Sequence, residues 1–301
     1  MNSNHTGKIR LSHSAFDLFH TCERKFQLER LMEGAPPKED YPATVLGKSF
    51  GLGVATYLVT QDKDLAIFEA WKAYFPILED EKRTETVALN LLMNSFSSLD
   101  NLLEDYEVAF FNNKPSSELS FCLDIDEKFY FVGYIDLVLK NKYTGKYAIL
   151  EVKTTSLNLH SLDAIYQNSG QALGYSIVLD TIAGEEKADY EVIYFVGQLG
   201  SGNGYTPKIH VLPYNKNLVD RFNWFLTIKM DVNRLEQMLL LNVFPMRGHN
   251  CLNYMRPCPQ LGTCQLHGLD SYLPPLVDDK EYDFNFSLSD VITNHLSRIN
   301  N

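Results

Sequence analysis

The chain has no run of eighteen or so apolar residues, the length a membrane-spanning helix needs. Its opening stretch, Met1 to Arg10, is polar and lacks the apolar centre of a secretory signal. No internal repeat and no long linker is present, and no G-x-x-x-x-G-K-[S/T] phosphate loop occurs. A membrane span, a solenoid and a built-in nucleotide-driven motor are thereby excluded, and a soluble intracellular chain is expected. Cysteine is sparse, five in 301 residues. In a reducing compartment such a number points to metal ligation or free thiols rather than a disulfide framework.

What is present suits a folded domain. Hydrophobic residues make up 45% and aromatics 12%, enough for one sizeable core, or one core plus a small satellite. The formal charge of -11 argues against a polyanion-binding protein as a global average, yet its distribution is uneven. Between Asn203 and Gln260 the bases Lys208, Lys216, Arg221, Lys229, Arg234, Arg247 and Arg256 outnumber Asp220, Asp231 and Glu236. From Leu269 to Asn301 acids dominate. The two segments read either as a basic binding surface and an acidic tail or as ordinary solvated faces.

Ser12 or Ser14 can cap a helix reaching about Met32, ended by Gly34 and Pro36-Pro37, with Phe19, Cys22 and Phe26 on one face. Further helices are expected over 43–58, 63–74 and 84–111. The period then changes to strands over 119–125, 129–139 and 147–153, separated by turns at Asp126-Glu127 and Asn141–Gly145. A helix over 162–179, strands over 190–196 and 208–212, and a helix over 215–241 complete an α/β (α+β) core with helices packed on a sheet.

The sharpest local pattern is Gly133-Tyr-Ile-Asp136 on one strand and Glu151-Val-Lys153 on the next. Alternation along a strand sends Glu151 and Lys153 to the same face. A short turn makes the two strands antiparallel neighbours, so Asp136 can meet Glu151. Two such carboxylates repel unless a cation lies between them, and a hard divalent ion suits their oxygens. A lysine beside them can orient or deprotonate a water and stabilise charge on a phosphodiester. A surface Glu–Lys pair on an edge strand is the bland alternative, against which the Gly-x-x-Asp at strand spacing speaks.

The run FVGYIDLVLKNKYTGKYAILEVKTT resembles the central motif of the PD-(D/E)XK nucleases. Gln171-Ala-Leu-Gly-Tyr175, a pair four apart on one helix face, resembles the Q-x-x-x-Y motif of the RecB-like branch. The run from Ser12 through Cys22 to Phe26 resembles the opening helix of that branch. The resemblance covers about residues 10 to 265. It implies a restriction-endonuclease-like core: a mixed central sheet flanked by helices, a helical N-terminal insertion and a C-terminal metal-staple loop. It also implies Asp136, Glu151, Lys153, Gln171 and Tyr175 as catalytic residues, and Mg²⁺ or Mn²⁺ held by Asp136, Glu151 and the Val152 backbone carbonyl. Relatives carry Gly-x-x-x-His where this chain has Gly47-Lys-Ser-Phe-Gly51. The histidine ligand is missing: either water takes its place or another residue supplies the ligand, with Glu118 the candidate.

Cys251, Cys258 and Cys264 are spaced C-x6-C-x5-C in a loop containing Pro257, Pro259 and Gly262, which suits a chain folded around a metal. With Cys22 they resemble the cysteine staple of AddB-type nucleases, which implies a [4Fe–4S] cluster held by Cys22, Cys251, Cys258 and Cys264. The first gap, x6, departs from the x2 of those relatives. Zinc on the same four thiolates is the alternative, with His249 or His267 as substitute ligands. Cys122, inside a strand, reads as a buried free thiol.

The expected organisation is one nuclease domain over 1–268, followed by an acidic tail over 269–301. Its helical part lies over about 43–113, its catalytic core over about 117–242, and its cysteine cluster over 251–264, joined to Cys22. The expected activity is metal-dependent hydrolysis of DNA by an exonuclease or single-strand-preferring nuclease in recombination, repair or phage replication. A nuclease fold without turnover, serving as a DNA- or protein-binding module, is the alternative. Arg24, Lys25, Lys208, Lys216, Arg247 and Arg256 are candidate phosphate contacts, independent of sequence. A separate recombinase, helicase or single-strand-binding partner is expected, in the cytoplasm of a bacterial or phage-infected cell, with no membrane association.

Overall fold

The computed structural model describes residues 7–32, 41–75, 77–184, 191–200, 207–253, 256–265 and 280–299. In chain order these form β1 (Ile9–Ser12), α1 (His13–Thr21), α2 (Glu23–Phe26), a π-turn at Gln27–Leu31, α3 (Pro42–Thr60), α4 (Lys63–Ala73), α5 (Glu85–Asp105), β2 (Tyr106–Val108), β3 (Phe110–Phe111), β4 (Lys114–Pro115), β5 (Ser117–Asp124) and β6 (Phe129–Asn141). They continue as β7 (Tyr147–Thr155), α6 (Leu159–Gln167), α7 (Gly170–Ala183), β8 (Glu191–Gln198), β9 (Lys208–Asn215), α8 (Leu218–Leu241), β10 (Leu252–Asn253), β11 (Arg256–Pro257), α9 (Leu261–Cys264), β12 (Phe284–Ser287) and α10 (Leu288–Ile299). The architecture is mixed α/β, a central mixed sheet flanked by helices. Among the described residues no helix is long and apolar enough to cross a membrane.

The chain divides into two compact units. One comprises Glu39–Leu119 and Tyr134–Arg221. Here β6 and β7 pair antiparallel, β7 and β8 parallel, and β8 and β9 antiparallel. The turn between β6 and β7 is dictated by Asn141, whose Oδ1 accepts from the amides of Tyr143 (3.0 Å) and Thr144 (2.9 Å), and by Gly145 at φ 67°. One sheet face presents Leu137, Leu139, Leu150, Ile193 and Phe195 to the apolar sides of α3 and α5, including Leu46, Phe50, Leu91 and Leu92. A Cβ at Gly53 would stand 2.5 Å from Leu92 Cδ2, so glycine lets α3 and α5 approach. Alternation leaves Asp136, Glu151, Lys153 and Tyr194 on the other face.

The other unit comprises Met1–Lys38, Ser120–Gly133 and Phe222–Asn301. In it β1 runs parallel to β6 (Ile9 opposite Phe129) and β12 parallel to β5 (Phe284 opposite Phe121). Its core is aromatic: Phe131 contacts Phe16 (6.1 Å between centroids) and, edge-on, Trp224 (5.7 Å). Asp126 Oδ1 accepts from the amides of Lys128 and Phe129 and closes the turn before β6.

Several expected boundaries move for identifiable reasons. The first helix stops at Thr21: Cys22 is extended (φ -165°), and the Arg24 amide leaves the helical ladder for the Pro245 carbonyl, 3.1 Å away. Its expected stop signals, Gly34 and Pro36-Pro37, lie outside the described residues. The helix over 162–179 is instead two. Ser169 caps α7 by accepting from the Ala172 amide, and the Asn168 side chain turns back to the Ala164 carbonyl. The helix over 84–111 ends at Asp105, where Tyr106 and Val108 alternate into β2 against β6. Asn112 and Asn113, at φ 51° and 62°, then join β3 to β4. The stretch expected as an acidic tail contains β12 and α10. Asp283 there accepts from the Ser120 amide and hydroxyl, and Leu288 and Val291 are buried.

Candidate active site

The register of β6 and β7 builds the site. Leu137 lies opposite Leu150, so one step further along the ladder brings Asp136 to Glu151. Asp136 Oδ2 accepts from the Val152 amide at 2.9 Å, which fixes the carboxylate beside β7. Glu151, 3% exposed, puts Oε1 2.6 Å from the Lys153 ammonium. Its other oxygen, Oε2, is buried and has no hydrogen-bond partner among the described residues. An anionic oxygen in that condition is costly unless a cation reaches it.

The second layer comes from α7. Lys153 Nζ donates to Gln171 Oε1 (3.4 Å), and Gln171 Nε2 donates to the Tyr175 hydroxyl (2.8 Å). Gln171 and Tyr175 thus act from one helix face, as their spacing of four requires. Ser169 starts α7 at the point that makes this possible.

Electrostatics follow from burial. Desolvation, then the charge of Asp136, push the Glu151 carboxyl up to about 7. Burial also raises Asp136, opposed by the Val152 amide and Lys153 and reinforced by the charge of Glu118. For Lys153, burial favours the neutral amine, but the charge and hydrogen bond of Glu151 outweigh it and the net direction is upward. Lys153 therefore holds its proton. Burial likewise raises Tyr175, which stays a neutral phenol.

Asp136, Glu151, Lys153, Gln171 and Tyr175 are brought together as their spacing suggested. Glu118 is exposed, in the left-handed region at φ 50°, and near enough to Asp136 for its charge to be felt there. A Cβ at Gly51 would meet nothing within 4 Å, whereas at Gly47 it would approach Thr154 Oγ1 of β7 to 3.6 Å. Two residues went unnoticed in the sequence. Tyr194 lies opposite Glu151 in the register, and Tyr166 stacks on its ring at 4.2 Å and 14°. The placement of Tyr194 between Ile193 and Phe195, on the opposite strand face from both, was the available signal.

In the other unit burial pushes the Cys264 thiol up, the Arg24 guanidinium opposes it, and Cys22 and Cys251 add to the upward direction. The loop is laced by Cys258 N to Cys251 O (2.8 Å) and Cys264 N to Gln260 O (2.7 Å). Asn250 Nδ2 donates to the Thr21 carbonyl, tying the loop to α1. Among the described residues no three His, Cys, Asp or Glu side chains converge into a metal site as they stand. Cys122 is a buried core thiol, and His267 lies outside the described residues.

Two candidate phosphate contacts are otherwise engaged. Lys216 is 2% exposed, with its ammonium donating to main-chain carbonyls. Arg247 makes a two-pronged contact with buried Glu23, at 2.8 and 2.6 Å. Arg24 turns to Gln27, and Lys25 lies 3.7 Å from Glu29. Lys208 is exposed, and the Arg256 side chain lies outside the described residues.

A sequence model of the PD-(D/E)XK nuclease superfamily matches residues 10–265. Among solved structures, a protein from Eubacterium rectale provisionally named an exonuclease is similar over 86% of this chain and 95% of its own, at 13% identity and a TM-score of 0.46. The protein SSO0001 is similar over 64% of this chain and 75% of its own, at 15% identity and a TM-score of 0.24. With TM-scores this low, neither likeness bears on activity. No curated protein sequence matches.

Proposed function

Because the chain belongs to the PD-(D/E)XK nuclease superfamily, we propose that it is a Mg²⁺- or Mn²⁺-dependent deoxyribonuclease of the RecB-like branch, acting as an exonuclease or on single strands. The single observation that carries this is the buried Oε2 of Glu151, unpartnered among the described residues, on the same sheet face as Asp136. That donor set fits a hard divalent cation held by Asp136, Glu151 and the Val152 carbonyl, with exposed Glu118 as a further oxygen in place of the absent histidine. When bound, such an ion polarises the phosphodiester and acidifies water. The residues divide the remaining work. Lys153, kept protonated by Glu151, orients the attacking water and stabilises charge developing on the phosphate rather than abstracting a proton. Gln171 accepts from the ammonium and is itself held by its hydrogen bond to the Tyr175 hydroxyl.

Labelled single- and double-stranded DNA incubated with Mg²⁺ or Mn²⁺ tests this. Wild type should cut and Glu151→Gln should not. Cleavage of closed circles would replace the exonuclease reading with an endonuclease. Equal inactivity of both proteins on every substrate would favour the binding-module reading, which the missing histidine at Gly51 motivates.

The four cysteines Cys22, Cys251, Cys258 and Cys264 are proposed to hold a [4Fe–4S] cluster, or zinc, as a structural staple. The neighbourhood of Cys22, Cys251 and Cys264, drawn from opposite ends of the sequence, supports it. An absorption spectrum of anaerobically purified protein separates the two metals. Recombination or repair with a separate helicase, recombinase or single-strand-binding partner is the setting that fits a nuclease without a motor.

A further inference from the structure

Lys216 is a lysine where a lysine is expensive. It is 2% exposed, and burial pulls its pKa down against the opposing charge of Asp220. Its ammonium donates to the carbonyls of Tyr166, at 3.2 Å, and of Gln167. These belong to the last turn of α6, whose final carbonyls have no partner within the helix and whose dipole favours a cation. Tyr214, near the end of β9, donates from its hydroxyl to Asp163 Oδ1 on the same helix (2.5 Å). The end of β9 and the residue just after it thus grip α6 at two points.

That grip lies one step from the proposed chemistry. Tyr166 stacks on Tyr194, the register partner of Glu151. Three residues after Tyr166, Ser169 caps α7, and Gln171 then reaches the Lys153 ammonium. We infer that Lys216 is a positioning residue: by fastening the end of α6 it sets the break before α7 and holds Gln171 against Lys153. The inference rests on the nuclease reading for its catalytic consequence, but the clamp itself does not.

The test combines Lys216→Met, Lys216→Arg, Gln171→Ala and the double variant Lys216→Met/Gln171→Ala. With cleavable DNA, Lys216→Met should lower kcat about tenfold with KM changed less than about twofold, the signature of misplaced chemistry rather than lost binding. Lys216→Arg, able to donate to both carbonyls, should recover most of the rate. The double variant should be no slower than Gln171→Ala alone, because both changes remove one interaction. Additive losses, or a raised KM at unchanged kcat, overturn the inference, the latter in favour of a phosphate contact. Amide hydrogen exchange over residues 168–173, in protein free of DNA and metal, gives an arm independent of activity. Exchange should quicken in Lys216→Met and not in Gln171→Ala; unchanged exchange overturns the clamp. If wild type cuts nothing, the nuclease reading fails while exchange still decides the clamp. Should Lys216→Met not fold, Tyr214→Phe, which removes the second grip, should show the same changes in smaller measure.

Discussion

Two glutamates, Glu151 and Glu23, are equally buried and oppositely served. Glu151 has one ammonium, the Gln171 amide, a neighbouring carboxylate and, among the described residues, an oxygen with no partner, and burial takes its pKa up to about 7. Glu23, 1% exposed, is held by Arg234 and, two-pronged, by Arg247, and its pKa falls although burial alone would raise it. A carboxylate whose lone pairs are filled by guanidinium is finished as structure. One left short of positive charge is the one to which the proposed function assigns a cation. Burial alone therefore does not separate scaffold from site; the completeness of the partners does.

The largest expected effect breaks the comparison at its catalytic end. Glu151→Gln should lower DNA cleavage in Mg²⁺ by a factor on the order of a thousand, read as initial rates on labelled DNA, while Glu23→Gln should leave kcat nearly unchanged in whatever fraction remains folded. A comparable loss from both would erase the distinction.

On stability the order reverses. Glu23→Gln strands two arginines that are partly open to water, so a loss of about 1–3 kcal/mol is expected by denaturant unfolding. Cys251→Ala should reduce both bound metal and melting temperature; unchanged metal content and melting would remove the staple. Glu151→Gln should be neutral or stabilising in chelated protein near pH 8.

Dependence on pH sharpens the contrast, because the signs are opposite. The folded pKa of Glu151 lies above its ordinary 4.5. In metal-free protein its contribution is intact below that value and is lost as pH rises through about 7. The folded pKa of Glu23 is depressed. Its contribution is intact above 4.5 and is lost as pH falls. Urea midpoints measured from pH 4 to 8 should flatten on the alkaline side in Glu151→Gln and on the acid side in Glu23→Gln. The smallest effect concerns exposed Lys208. Changing it to Ala should weaken DNA binding alike for all sequences and lower the salt slope by roughly one.

The geometry of the candidate site was legible because it is local. Asp136, Glu151 and Lys153 sit on two strands joined by one short turn, and strand alternation assigns their faces without knowledge of the rest. Gln171 and Tyr175 were legible through helical spacing, although the break at Asn168-Ser169-Gly170 that aims them was missed, a triplet rich in cap and turn residues. Lys216, a candidate phosphate contact by its charge, is buried in the structure, because charge in a sequence carries no statement of what it will face. The acidic end of the chain was taken for a tail because β12 is short and its partner β5 lies far back in the sequence.

The sequence by itself determined which residues share a strand face or a helix face, since those periods of two and 3.6 are set by backbone geometry. From that came the mixed α/β core and the carboxylate–lysine pair. Only the tertiary structure decided which charges are spent internally, which oxygen of Glu151 is left bare, and that Cys22 lies near Cys251 and Cys264. Those outcomes depend on contacts between segments far apart in the chain, where burial and competing partners, not local periodicity, set the energy.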